Sequence, residues 1–112
     1  MRLIAPVAVR APLAAAVAGA ELQFLATPVF NVGDGMLLDV LLAGESGEEI
    51  LYTRYFDAGR KAADRQWVPI KVTLPRRSGA RWLVLRVSGG PQGNLEADWL
   101  AIASMNLSRK AP

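Results

Sequence analysis

The side chains best suited to recognition chemistry are Trp67, Trp82, Trp99, Tyr52 and Tyr55, with Arg54, Asp57, Arg65 and Asn94 as polar partners. An aromatic ring offers a flat apolar platform to the C–H face of a hydroxyl-rich ring. Nearby charged and amide groups give its hydroxyls directional partners. The same aromatics also suit a protein core. Trp67 and Trp99 are expected there, whereas Trp82 lies opposite the apolar face formed by Leu83, Leu85 and Val87. Arg54, Asp57, Asp64 and Arg65 alternate in sign around the connection 57–66. They make either a polar clamp for a ligand or an ion-pair network that pins a long loop. The network is the favoured reading, because such pairs are common on surfaces and individually weak.

Enzymatic chemistry finds little to work with. The chain has no histidine and no cysteine, so the commonest general base and the thiolate nucleophile are both missing. Serines 46, 78, 88, 104 and 108 therefore have no imidazole to activate them. Lys61, Lys71 and Lys110 leave a Ser-Lys pair formally open, with no motif around it. The carboxylates Glu48 and Glu49, imaginable as an acid and a base, fall at an apparent hairpin tip rather than in a cleft. No phosphate-binding Gly-Lys loop and no dinucleotide fingerprint is present. The expectation is a protein that is not an enzyme and needs no cofactor. Net charge is +3, and the basic residues, all arginine but those three lysines, are dispersed among acidic ones. That pattern suits a solvated surface and argues against nucleic acid as a partner. The sequon Asn106-Leu107-Ser108 has meaning only in a eukaryotic secretory route.

The elements that position these groups read as strands. With 112 residues, 52% of them hydrophobic, the chain makes one domain with one core, residues 1–112. Leu3–Arg10 suits an edge strand because Pro6 lies inside it. Ala11–Ala20 reads as a short strand ending in the Ala18-Gly19-Ala20 turn. Residues 1–20 are taken as β segments in preference to a cleaved leader, since Arg10, Pro6 and Pro12 interrupt the apolar run. Neither apolar piece approaches the roughly 20 residues of a membrane span, so no membrane insertion is expected. Glu21–Ala26 alternates faces, and Met36, Leu38, Val40 and Leu42 share one face opposite Asp39. Leu37 and Leu41 share that outer face, which therefore needs cover. The stretch 44–49 is a polar hairpin loop. Val68, Ile70, Val72 and Leu74 alternate with Pro69, Lys71 and Thr73, the cleanest period of two in the chain. Arg81–Ser88 and Ala97–Leu107 complete about seven strands, and Ser108–Pro112 reads as a tail. The class is all-β: an antiparallel β-sandwich or jelly roll.

Gly33–Leu42 (GDGMLLDVLL), Leu51–Asp57 (LYTRYFD), Ala63–Leu74 (ADRQWVPIKVTL), Leu83–Asn94 (LVLRVSGGPQGN) and Ala97–Ile102 (ADWLAI) follow one another in an order that resembles the galactose-binding-like β-sandwich superfamily. That superfamily includes many carbohydrate-binding modules. The closest likeness is to bacterial versions appended to cell-envelope proteins such as membrane glycosyltransferases. The resemblance runs from about Glu21 to Leu107 and implies an extracytoplasmic or cell-envelope setting. It makes Asp64, Arg65, Trp67 and the Asp98-Trp99 pair fold-defining positions. The chain departs from it by a short N-terminal side and by lacking an evident row of loop aromatics. The implied function is a non-catalytic module that binds glycan through its loops or one sheet face. Arg54, Asp57, Arg65, Trp82 and Asn94 are then its candidate ligand contacts. The alternative is a structural or protein-interaction sandwich, accessory to a parent enzyme and without a sugar site. A structural calcium ion is a family possibility, with Asp34, Glu96 and Asp98 as oxygen ligands.

Overall fold

A computed structural model describes residues 2–4, 7–12, 19–28, 35–45, 47–57, 60–75, 80–89 and 99–109. Eight strands are present among them: β1 (Arg2–Ile4), β2 (Val7–Pro12), β3 (Ala20–Pro28), β4 (Met36–Gly44), β5 (Gly47–Phe56), β6 (Val68–Thr73), β7 (Ala80–Gly89) and β8 (Trp99–Arg109). They form two antiparallel four-stranded sheets, the first in the order β1-β8-β3-β6 and the second in the order β2-β7-β4-β5. The outcome is the all-β sandwich expected. In every pair β1·β8, β2·β7, β3·β6 and β4·β5 the strand numbers sum to nine, as in one long hairpin folded on itself. The additional pairs β3·β8 and β4·β7 roll that hairpin into two sheets.

Alternation does most of the building. In β3, Leu22, Phe24 and Ala26 are buried while Glu21, Gln23, Leu25 and Thr27 are half-exposed. Opposite them in β6, Ile70 and Val72 are buried, and Pro69, Lys71 and Thr73 are exposed. Pro69 is tolerated because β6 is an edge strand, where a missing N–H breaks no interior ladder. The second sheet contributes Met36, Leu38, Val40 and Leu42 from β4, Phe56 from β5, and Leu83, Leu85 and Val87 from β7. With Leu100 and Ile102 of β8 these make one continuous core. Central strand β4 is covered on both faces: Leu41 is 1% exposed and Asp39 4%, although both point away from that core. The cover expected over this outer face is therefore present.

Several boundaries differ from expectation. The stretch Leu3–Arg10 is not one edge strand but two, β1 and β2, at the edges of different sheets. Pro6, which cannot donate to a ladder, lies at the break in the sequence. Residues 13–18, the middle of the expected strand Ala11–Ala20, lie outside the described residues, and Gly19 is a turn with φ +83. The hairpin at 44–49 is tighter than its composition suggests, with Gly44 paired to Gly47. The expected tail begins later, since Ser108 and Arg109 still pair with Glu21 and Ala20. Trp67 is not in the core but 47% exposed. It stands in the connection just before β6, ahead of the alternation that buries Ile70 and Val72.

Gly35 closes the loop into β4 at a buried position with φ +87. A Cβ there would stand 2.5 Å from the Phe56 carbonyl oxygen and 2.5 Å from Tyr55 Oη. Left-handed backbone and a collision with main chain both penalise any side chain. Gly35→Ala should destabilise the protein by about 2–4 kcal/mol in urea denaturation, whereas Gly47→Ala, which meets open space, should cost about 1–2 kcal/mol.

Candidate functional site

The charged connection after β5 is held by one carboxylate. Arg54 pairs with Leu38 in the β4·β5 register, so it projects to the core side of an edge strand between Tyr52 and Phe56. A cation there needs neutralising, and Asp64 of the 3₁₀ turn Ala62–Arg65 does it. Arg54 Nη2 donates to Asp64 Oδ1 at 2.6 Å, and the backbone N–H of Asp57 donates to Asp64 Oδ2 at 2.9 Å. The guanidinium carbon lies 4.9 Å from the Phe56 ring centroid, a cation–π contact. Asp57 in turn caps the turn, its carbonyl accepting from the N–H of Lys61 at 2.8 Å and of Arg60 at 3.2 Å. Asp64 is 1% exposed and Asp57 5%. Asp57 Oδ1 and Arg54 Nε have no hydrogen-bond partner among the described residues. The ion-pair network is thus the role the geometry gives Arg54 and Asp64. The side chain of Arg65 and all of Asn94 lie outside the described residues.

Trp82 belongs to a different surface. It sits on the outer face of the second sheet, half-buried, with the Arg10 guanidinium 5.5 Å from its ring centroid. Further along the same face Asp39 accepts from Thr53 Oγ1 at 2.7 Å and from Arg86 Nη2 and Nε at 3.0 and 3.3 Å. Arg86 Nη1 also lies 3.6 Å from Glu48 Oε1. On the same face Leu41 and Val84 pair across β4 and β7 and are 1% and 7% exposed. The structure therefore places Arg54 and Trp82 on opposite faces of one sheet and does not bring them together as a clamp. Among the described residues no group of three acidic side chains is placed to hold a metal ion. Asp34, Glu96 and Asp98 lie outside those residues, as does the Trp99 side chain.

The open face is the outer side of the first sheet. Gln23 is flanked directly by Lys71 of β6 and Asn106 of β8, so an ammonium and two amides stand in one row across three strands. The neighbouring row is apolar, Leu25 beside Pro69. Between them is a hollow of about 260 Å³ whose rim includes Gln23, Leu25, Pro69, Lys71, Ser104 and Asn106. Its shape comes from a β-bulge. Gln23 pairs with Asn106 but Leu25 with Ala103, so two residues of β8 oppose Phe24. Ser104 takes the extra position at φ 56, a left-handed backbone uncommon for a residue other than glycine. Gln23 Nε2 donates to Glu21 Oε1 at 2.6 Å, which fixes the amide. Exposed Trp67 stands just before β6, four residues or about 13 Å along from Lys71.

Sequence reasoning put Gln23 and Lys71 on outer faces without joining them into a site. The signal was available in β8. Its apolar residues occupy positions 100 and 102 and then 105 and 107, a change of phase that only an inserted residue produces.

No family model matches the chain, and no solved structure matches it. A stretch of 68 residues, 60% of the chain, is 28% identical to a protein of Archaeoglobus fulgidus described as an uncharacterized protein. That stretch spans 17% of the archaeal protein's length.

The part-buried and the exposed ion pairs should differ in cost. Asp64→Ala strands the Arg54 guanidinium and the Asp57 N–H together, which should cost about 2–4 kcal/mol in chemical denaturation. Arg81, paired with Glu45 with both side chains more than 60% exposed, should lose less than about 1 kcal/mol as Arg81→Ala.

Proposed function

We propose that the chain is a non-catalytic binding module of jelly-roll, galactose-binding-like type that holds a glycan on the outer face of its first sheet. One observation carries the reading: the Lys71–Gln23–Asn106 row stands beside the Leu25–Pro69 ledge at a bulge with left-handed Ser104, and Trp67 is exposed just before β6. A sugar ring has an apolar C–H face and a rim of hydroxyls. The ledge and Trp67 suit the former, and the amide and ammonium groups suit the latter. Strained backbone at Ser104 is the kind that persists where a surface is shaped for use. The pairing of strands with numbers summing to nine supports the jelly-roll type. By the same resemblance the module's place is the cell envelope, beside a parent enzyme. The candidate contacts change with this reading: Lys71, Gln23, Asn106 and Trp67 replace Arg54, which is paired with Asp64, Asp57, which is buried, and Trp82, which lies on the other sheet.

A glycan array followed by titration calorimetry tests it. Each charged or amide hydrogen bond to a hydroxyl is worth about 1–2 kcal/mol. Lys71→Ala and Gln23→Ala should therefore each weaken binding by roughly tenfold, and Trp67→Ala by at least as much. Trp82→Ala should leave affinity unchanged. Absence of any glycan signal, or a loss of affinity confined to Trp82→Ala, would refute the assignment.

A further inference from the structure

We infer that the glycan of this face is anionic, its ring carrying a carboxylate or a sulfate that Lys71 holds. This rests on the reading of the first sheet's outer face as a glycan site. Among the described residues Arg54 is paired with Asp64, Arg81 with Glu45, and Arg86 with Asp39 and Glu48. Arg10 stands over the Trp82 ring. Lys71 is exposed and, among the same residues, makes no ion pair. Glu21 is the one acid on that outer face among the described residues. It stands opposite Thr73, and its carboxylate accepts from Gln23 Nε2 at 2.6 Å.

Donors and acceptors are divided along the row. With one Nε2 hydrogen committed to Glu21, Gln23 offers its Oε1 and a single N–H, the pairing that a hydroxyl takes. Lys71 brings only donors and a full charge. Pro69 and Lys71 are alternate residues of β6, so they lie on one side of the strand about 7 Å apart. A sugar ring resting on the Leu25–Pro69 ledge thus directs a substituent of its rim toward Lys71. Hydroxyls elsewhere on the rim meet Gln23, Ser104 and Asn106 around the hollow.

The segment that leads into β6 extends the positive charge. Its sequence alternates in sign, yet Asp57 and Asp64 are buried while Arg60 and Lys61 are exposed. The charge of Asp64 is answered by Arg54. What the segment presents to solvent is therefore cationic, and it adjoins the strand that carries Lys71. A field of one sign over the approach favours an anion before any contact forms.

Titration calorimetry of the full chain at low salt compares oligogalacturonates and carrageenan oligosaccharides with the same chains after carboxyl reduction and desulfation. The charged form of at least one pair should bind roughly tenfold more tightly than its neutral form, the scale of one charge-assisted contact. That preference should shrink severalfold at about 0.5 M salt, where screening shortens the reach of a charge. Lys71→Gln should erase it with an unchanged melting temperature. Arg10→Gln, which removes the same charge from the second sheet, should keep it. A neutral form bound as tightly as its charged form, or array hits confined to neutral chains, overturns the anionic class and leaves the glycan reading standing. Equal losses from Lys71→Gln and Arg10→Gln assign the preference to net charge and also overturn it. No binding by any glycan, charged or neutral, removes the glycan reading itself and the anionic class with it.

Discussion

The passage of the chain from one sheet to the other depends on a single carboxylate. β5 ends the second sheet at one edge and β6 begins the first sheet at the same end of the sandwich, so the intervening segment must close the side of the core. It does so with Asp64, which satisfies a guanidinium and a backbone N–H at once while almost wholly buried. Removing either donor leaves a buried group uncompensated, a larger loss than the pair's net gain over water. The same interaction removes Arg54 and Asp57 from any role that needs them in solvent.

The faces of the two sheets have divided their work. Outside the second sheet, Arg86 pairs with Asp39 and Glu48, and Arg10 stands over the Trp82 ring. Outside the first sheet, Gln23, Lys71 and Asn106 stand side by side, and among the described residues only Gln23 is tied to a neighbour. A polar group that pays no internal debt is available to a ligand. The bulge at Ser104 gives that surface relief that a flat pleated sheet lacks.

Much of the framework was legible from alternation alone, because burying one face of a strand imposes a period of two. β3, β4, β6 and β7 all follow it, and the ion pairing of Arg54 with Asp64 agreed with the alternating signs around the connection. The misplacements have specific causes. Trp67, expected in the core with the other aromatics, stands just before β6 and is exposed. Arg54 and Trp82 looked like partners because loops and aromatics suggest a site, but sequence does not say which sheet face each occupies. The Lys71–Gln23–Asn106 row combines three strands far apart in the chain, so it becomes visible only once their pairing is known. In β8 the change of apolar phase was present in plain sequence.

The most direct measurement is an amide and side-chain chemical-shift map of isotopically labelled protein titrated with the glycan found on the array. Perturbations should centre on Gln23, Lys71, Ser104 and Asn106, with the Trp67 indole shifting and the Trp82 indole unmoved. Perturbations centred on Trp82 and Arg10, or on Arg54 and Asp57, would contradict the assignment of the binding face.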